Sequence, residues 1–269
     1  MKKIDVYLTQ SLIHDDLFLK DKNVVVVDVL RATTTINVAL ANGAKEIIPA
    51  ESVTIAARIS KGLGKALLCG ERNGKVIEGF ALGNSPLEYK SETVKDKSLI
   101  FSTTNGTISI TKSRLAKSCV LASIVNFSKV VEHIKSLEGD VIFVCSGKLN
   151  SFCIEDAICA GVIIDKLVSE DKENYELDDS ASACIYLANS LTKKSGKISS
   201  ERILDMFKLA EHGKYLASIG FSEDLKICAA VDSYPHLPIY FNGTIKLPEK
   251  IEIETSEKSQ MKKIKISKD

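Results

Sequence analysis

The sequence lacks the features that define several classes of protein. None of its seven cysteines belongs to a Cys-x-x-Cys pair or to a Cys/His cluster with zinc-ligand spacing, so we expect reduced, buried thiols. The amino-terminal segment lacks the apolar stretch of a secretory signal, and no apolar run approaches the ~20 residues that span a bilayer. These absences predict a cytoplasmic protein with no membrane role.

An excess of charge of either sign is also missing. The 36 Lys and Arg residues nearly balance the 35 Asp and Glu residues, which gives a formal net charge of +1. No global field therefore attracts nucleic acid or anionic lipid, and we expect neither as a partner. Hydrophobic residues make up 45% of the 269 residues, which is typical of a globular protein with a substantial core.

Short β-branched runs alternate with helical patterns, which predicts an α/β fold. Because the runs are uniformly apolar, we expect a layered α/β/α arrangement around a mostly parallel or mixed sheet. We predict one domain over residues 1–245, or two lobes that meet near residues 136–140, and a charged tail over residues 246–269. Predicted strands cover residues 4–8, 24–29, 46–49, 65–69, 99–102, 119–122 and 141–145, with a strand-like run at 227–231 and an edge strand at 251–253. Predicted helices cover residues 34–42, 54–62, 107–116, 123–136, 153–169, 180–190 and 200–216, with a solvated loop at 170–179.

Polar or glycine-rich segments follow four of the predicted strands, at residues 28–31, 69–72, 102–107 and 145–148. Ligands of open α/β sheets bind at the carboxyl ends of the strands. Each segment alone is a common kind of turn, but four in register would form one pocket. The pattern therefore predicts a binding site for a small anionic substrate.

The first segment begins with Asp28 and ends with Arg31, directly before a predicted helix. The free N–H groups and positive dipole of a helix amino terminus suit a phosphate, and a guanidinium adds a bidentate contact. We expect both residues to be catalytic and Arg31 also to bind the substrate. The structural alternative is that Asp28 caps the helix and pairs with Arg31.

The second and third segments are rich in backbone N–H groups. The loop after residue 69 contains Glu71, a catalytic candidate, and its glycines either surround an anion as a nest or form structural turns. The segment after residue 102 is not a P-loop, but its amides and hydroxyls can bind a phosphate or cap a helix. The substrate-binding candidates from the two segments are Arg72, Asn84, Ser85, Asn105, Gly106 and Thr107.

The fourth segment begins with Cys145. A cysteine phosphatase would need an arginine six positions later, and that position holds Ser151, so we do not predict a nucleophilic thiol. Lys148 in the same loop either contacts an anion or is solvated.

Four carboxylates are candidate ligands of Mg²⁺, which prefers hard oxygen atoms and retained waters. They are Asp28, Glu155, Asp156 and Asp232. The alternative for Glu155 and Asp156 is structural, because acidic residues in a first helical turn favour the helix dipole. The four histidines, His212 among them, show no ligand spacing and are predicted to be surface or packing residues.

Taken together, these motifs resemble those of the 2-phosphosulfolactate phosphatase family. The matching segments occur in order at residues 28–35, 70–72, 79–80, 83–86, 103–107 and 145–147, with Phe152, Glu155, Asp156, Cys228 and Asp232. The resemblance implies an α/β, Mg²⁺-dependent acid phosphatase that hydrolyses (2R)-2-phospho-3-sulfolactate to 3-sulfolactate and phosphate, on the route to coenzyme M. Ala81, where the family commonly has aspartate, and residues 148–150 depart from the pattern. The resemblance thus implies the reaction class more directly than the substrate.

Alternatives remain for both mechanism and function. In the favoured mechanism, Mg²⁺ polarises a phosphoryl oxygen and water attacks directly, with a nearby carboxylate as base. A covalent aspartyl-phosphate on Asp28 is the rival. The competing functions are a phosphatase for another small phosphorylated acid and a non-catalytic anion-binding protein, and a homo-oligomer is compatible with either.

Overall fold

The computed structural model of the protein describes residues 1–194 and 196–251. The strands are β1 (Lys2–Tyr7), β2 (Asn23–Val27), β3 (Glu46–Pro49), β4 (Leu67–Arg72), β5 (Lys75–Val76), β6 (Ser98–Ser102), β7 (Ser118–Ala122), β8 (Val141–Cys145), β9 (Tyr175–Leu177), β10 (Lys193–Lys194), β11 (Lys197–Ile198), β12 (Ile239–Phe241) and β13 (Thr244–Lys246). The helices are α1 (Ala32–Ala41), α2 (Val53–Leu63), α3 (Ser91–Val94), α4 (Gly106–Lys112), α5 (Phe127–Ser136), α6 (Ile154–Glu170), α7 (Asp179–Thr192), α8 (Ser200–Leu209), α9 (Glu211–Ser218) and α10 (Ser222–Cys228).

Eleven strands of the described residues form one mixed sheet in the order β5-β4-β6-β3-β13-β12-β7-β2-β8-β1-β9. The strands β4, β6 and β3 are mutually parallel, as are β7, β2, β8, β1 and β9. The antiparallel hairpin of β12 and β13 joins these two blocks through single pairs with β7 and β3.

Helices cover both faces of the sheet, as the valines of β2 illustrate. All five residues of β2 are buried, and successive strand residues point to opposite faces. Val25 and Val27 accordingly pack in the hydrophobic cluster that contains residues of α5, α6 and α7, whereas Val24 and Val26 pack with residues of α1 and α4. The predicted layered α/β fold with a mixed sheet is confirmed.

The hairpin in the middle of the sheet was not predicted. Its turn is Asn242-Gly243, whose φ angles of 48° and 79° are those that a two-residue hairpin turn requires. The predicted edge strand at residues 251–253 lies largely outside the described residues, as does most of the predicted tail.

Several predicted elements are wrong in extent or type. The predicted helix over residues 200–216 is two helices, α8 and α9, which approach closely: a Cβ on Gly213 would lie 1.8 Å from the carbonyl oxygen of Phe207. The predicted loop at 170–179 contains β9, which pairs with β1 at the sheet edge. The run at 227–231, predicted to be strand-like, instead covers the end of α10 and the turn after it.

The predicted division of the chain into lobes stays a prediction. The proposed boundary is the connection between α5 and β8, and β8 pairs with both β1 and β2. Within residues 1–194 and 196–251, no helix is long and apolar enough to cross a membrane.

Candidate active site

The carboxyl ends of β2, β4, β6 and β8 lead into loops that line one cavity of about 290 Å³. Its lining residues are Asp28, Leu30, Arg31, Glu71, Asn73, Gly74, Asn84, Thr103, Thr104, Asn105, Lys148, Leu149, His212, Tyr215 and Leu216. The four strand-end segments therefore converge as predicted, whereas the chemical roles of their residues stay predictions.

Asp28 follows β2 and is only 7% exposed. Its Oδ1 accepts a hydrogen bond from the backbone N–H of Ala32, the first residue of α1, at 3.1 Å. Burial raises the pKa of the Asp28 carboxyl to about 6; the Ala32 N–H and His212 oppose this rise, and the negative charges of Glu71 and Glu155 add to it. A Cβ on Gly106 would lie 2.6 Å from Asp28 Oδ2, so only glycine fits at the first position of α4.

Arg31 is 2% exposed and pairs with a residue far away in the chain. Its Nη1 donates to Oδ2 of Asp224 in α10 at 2.7 Å, and its Nη2 donates to the carbonyl oxygen of Gly74 at 2.7 Å. The guanidinium also lies 4.3 Å from the ring centroid of Phe221. The structural pairing of Asp28 with Arg31, the alternative considered above, is therefore not the one that forms.

Ser85, a predicted substrate-binding residue, belongs to the support of this ion pair. Its hydroxyl donates to Oδ1 of Asp224 at 2.7 Å, and it does not line the cavity. The hydroxyl thus holds Asp224 in place for Arg31.

Glu71 and Arg72 end β4 and face in different directions. Glu71 Oε1 accepts hydrogen bonds from the N–H and hydroxyl of Thr104 at 2.8 and 2.9 Å, and its Oε2 accepts one from the Gly74 N–H at 2.7 Å. This carboxylate therefore joins two loops of the cavity. The Arg72 guanidinium donates to the carbonyl and hydroxyl oxygens of Ser102 and does not line the cavity.

The segment before α4 contributes the lining residues Thr103, Thr104 and Asn105, and the first two residues of α4 support it. Asn105 lines the cavity, and its Oδ1 accepts a hydrogen bond from the Leu149 N–H at 3.2 Å. Thr107 is buried, and its hydroxyl accepts from the N–H of Thr103 and donates to the carbonyl oxygen of the same residue. Of the three predicted residues here, only Asn105 lies on the cavity surface, whereas Gly106 and Thr107 lie behind it.

Asp156 is fully engaged by backbone groups. Its two carboxylate oxygens accept from the N–H groups of Val29 at 2.9 Å and Gly147 at 3.0 Å, so it joins the loops after β2 and β8. Burial, with the negative charges of Asp28 and Glu155, raises the pKa of Asp156 well above its ordinary value. The adjacent predicted metal ligand, Glu155, is 2% exposed, and neither carboxylate lines the cavity.

Asp232 lies elsewhere in the structure. Its oxygens accept hydrogen bonds from the N–H of Ser128 at 3.0 Å and from the hydroxyl of Ser128 at 2.5 Å, in the first turn of α5. The structure does not bring this predicted metal ligand to the cavity.

Cys145 is fully buried, and burial raises the pKa of its thiol well above the ordinary value, which agrees with the prediction that it is no nucleophile. All seven cysteines are buried and unpaired.

Helix α9 supplies lining residues that sequence reasoning missed. His212 lines the cavity, and its Nδ1 lies 3.1 Å from Oε1 of Glu155. Tyr215 also lines it; its hydroxyl donates to the Asn73 carbonyl oxygen at 2.9 Å, and Nζ of Lys148 lies 4.9 Å from its ring centroid. The histidine and its carboxylate partner are 57 positions apart, so no local spacing marked them.

Asn84 provides an unusual acceptor. Its side chain is 6% exposed, it lines the cavity, and within the described part of the chain its Oδ1 has no hydrogen-bond partner. Buried polar atoms are rarely left without a partner in native proteins, and at the cavity a water or a bound ligand can supply one.

These features define an α/β protein with a small-molecule site at the carboxyl edge of its sheet, where buried carboxylates meet an arginine, a lysine and a histidine. The profile of the 2-phosphosulpholactate phosphatase family matches residues 7–243. The chain therefore belongs to the 2-phosphosulpholactate phosphatase family, and the resemblance seen in the sequence is confirmed.

Curated relatives agree over nearly their whole length. A protein of Caldanaerobacter subterraneus subsp. tengcongensis is 40% identical over 245 residues, which cover 90% of this chain and 97% of the relative. Proteins of Clostridium tetani and Thermotoga maritima are 37% and 39% identical, over 90% and 85% of this chain and 99% and 93% of their own lengths. Each is named "Probable 2-phosphosulfolactate phosphatase".

Proposed function

We propose that the chain hydrolyses (2R)-2-phospho-3-sulfolactate to 3-sulfolactate and inorganic phosphate, as a cytoplasmic enzyme on the route to coenzyme M. Family membership and the names of the relatives support this activity. The single structural observation that carries it is the convergence of Asp28, Arg31, Lys148 and His212 on one cavity.

The cavity suits a small, strongly anionic acid. The substrate carries a phosphate, a sulfonate and a carboxylate, and charge-assisted contacts from Arg31 and Lys148 would bind two of these groups. A volume of about 290 Å³ lies at the lower end for ligand pockets, which favours a small acid over a nucleotide. Ala81 is exposed and lies outside the lining, so this departure from the family pattern leaves the cavity surface intact.

We further propose that the enzyme uses Mg²⁺. The residues fit this ion, because Asp28 and the unpartnered Oδ1 of Asn84 are hard oxygen ligands at the cavity. When bound, Mg²⁺ would offset the charge of the phosphate and polarise a phosphorus–oxygen bond. Asp156 and Asp232 have no part in this proposal, since their oxygens are engaged by backbone and serine groups.

His212 is the proposed general base. A hydrogen bond from Nδ1–H to the buried Glu155 would orient the ring and leave Nε2 as the proton acceptor for an attacking water. The carboxylate base expected from the sequence is less suitable, because the oxygens of Glu71 already accept three hydrogen bonds.

Phosphate release from a panel of phosphorylated small acids tests the activity and its substrate. We expect the fastest turnover with 2-phospho-3-sulfolactate and loss of turnover in excess EDTA, restored by Mg²⁺. Faster hydrolysis of another acid would overturn the substrate, and full activity in EDTA would overturn the metal. Asp28→Asn separates an enzyme from a binding protein. An enzyme would lose turnover on this substitution, whereas a binding protein has no turnover and would keep its anion affinity.

The role of His212 has a matched control in the exposed His14. We expect His212→Gln to lower kcat by about 10²- to 10⁴-fold, the usual contribution of a general base. His14→Gln should leave kcat unchanged. An unaltered kcat in His212→Gln would assign the base to another group.

The stereochemical course at phosphorus decides between direct attack by water and an aspartyl-phosphate. With a substrate made chiral at phosphorus by oxygen isotopes, direct attack is a single displacement and inverts the configuration. Retention would establish the covalent route through Asp28 instead, because that route consists of two successive displacements.

A further inference from the structure

Three side chains with metal-binding atoms meet beside the cavity: Cys153, Glu155 and His212. Their candidate ligand atoms all lie within 4.8 Å of one another. Cys153 is 7% exposed and Glu155 2% exposed, while the His212 side chain is 16% exposed. Two of the three ligands are therefore buried and the third is partly buried, unlike the exposed acidic groups that commonly lie together on protein surfaces.

We propose that Cys153, Glu155 and His212 form a binding site for a transition-metal ion of the Zn²⁺ class, separate from the Mg²⁺ proposed at Asp28. A cysteine sulfur, an imidazole nitrogen and a carboxylate oxygen are the three ligand types that Zn²⁺ takes in proteins. Thiolate and imidazole ligands disfavour Mg²⁺, which binds oxygen. Three protein ligands leave a fourth position for water.

The elements that carry the three ligands are held in place. Cys153 directly precedes α6 and Glu155 lies in its first turn, which Asp156 fixes through its bonds to Val29 and Gly147. Helix α9, which carries His212, is tied to the loop after β4 by the Tyr215 hydroxyl. A site whose ligands are positioned before binding needs little rearrangement to take up the ion.

The ion can reach the cluster from the cavity, and its binding releases a proton from the thiol. His212 lines the cavity, so an ion can reach the cluster from there. The metal binds the thiolate of Cys153, and the displaced thiol proton passes to solvent. At His212 the metal binds Nδ1 of the neutral ring, whose proton then lies on Nε2, so the ring is not the proton acceptor while the ion is bound.

Titration of the metal-free protein with Co²⁺ tests the proposal without reference to activity. We expect one equivalent to produce the sulfur-to-cobalt charge-transfer absorption that a thiolate ligand gives. Cys153→Ser should abolish this absorption. Cys159→Ser, which removes a fully buried thiol from α6, should retain it. No charge-transfer absorption in the native chain, or the same absorption in Cys153→Ser, would overturn the proposal.

His212→Gln is a second test that leaves the thiol in place and alters a partly exposed position. We expect its affinity for Co²⁺ and Zn²⁺ to fall by more than about 10-fold, since even the loss of an outer-shell partner costs 10- to 100-fold. In the native chain, Zn²⁺ should displace Co²⁺ and a large excess of Mg²⁺ should not. Unchanged affinity in His212→Gln, or displacement by Mg²⁺, would contradict the assigned ligands.

Discussion

Replacement of Asp28 by asparagine should make the metal-free protein more stable at neutral pH. The carboxyl has an ordinary pKa near 3.8 in the unfolded chain, and burial raises it to about 6 in the native protein. Between these values the native protein binds a proton that the unfolded chain has lost. The stability conferred by this proton is therefore fully present below about pH 4 and is lost as the pH rises through 6.

The difference between the two pKa values corresponds to roughly 3 kcal/mol of unfolding free energy. Asparagine is neutral at every pH and can still accept the hydrogen bond from the Ala32 N–H. We therefore expect Asp28→Asn to be up to about 3 kcal/mol more stable than the native chain at pH 7, and of similar stability at pH 4.

Urea denaturation in EDTA, monitored by circular dichroism across this pH range, measures both differences. The control is Asp205→Asn, which removes an exposed carboxylate of a surface pair and should change stability by less than about 0.5 kcal/mol at either pH. If Asp28→Asn were less stable than the native chain at pH 7, or if its difference did not vary with pH, the reasoning from burial would be refuted.

Two further substitutions test how closely the site is packed. Gly106→Ala places a Cβ 2.6 Å from an oxygen of Asp28, and we expect a loss of about 1–3 kcal/mol in stability with a fall in kcat. The control is Gly62→Ala in α2, where the Cβ meets nothing within 4 Å, and it should be neutral or stabilising. Equal effects of the two substitutions would contradict the predicted clash. Asp224→Ala leaves the Arg31 guanidinium buried without its carboxylate, which should cost about 3–5 kcal/mol in urea denaturation, and a loss below about 1 kcal/mol would show that the pair is not isolated from water.

The sequence predicted the parts of the site that follow directly from strand ends. Asp28, Glu71, Asn105 and Lys148 each come within a few residues of a buried strand, and parallel strands bring such residues to one edge. The local sequence pattern is enough to place these residues, because the end of a parallel strand fixes the edge of the sheet at which the next residues lie.

The sequence did not predict contacts that depend on tertiary packing. His212 and Tyr215 reach the cavity from α9, and the partner of Arg31 is Asp224, 193 residues away. A single amphipathic helix gives no indication of which strand end it will cover. Arg72 shows the converse, since it ends β4 yet its guanidinium donates to Ser102 and not into the cavity.

The central hairpin could have been found. Asn242-Gly243 between two short β-branched or aromatic runs is a strong local signal for a two-residue turn. The position of the hairpin between β3 and β7 could not have been found in this way, because each contact with the rest of the sheet is a single pair.

The hairpin has a consequence for the order in which the sheet can be completed. On the ribosome, β3 and β7 emerge long before residues 239–246, so both strands keep an unpaired edge while the intervening helices are synthesised. Exposed edges of this kind can pair with another chain. We therefore expect nascent chains that stop short of residue 239 to aggregate through β3 and β7. Once β12 and β13 have formed, they occupy these edges and prevent such pairing.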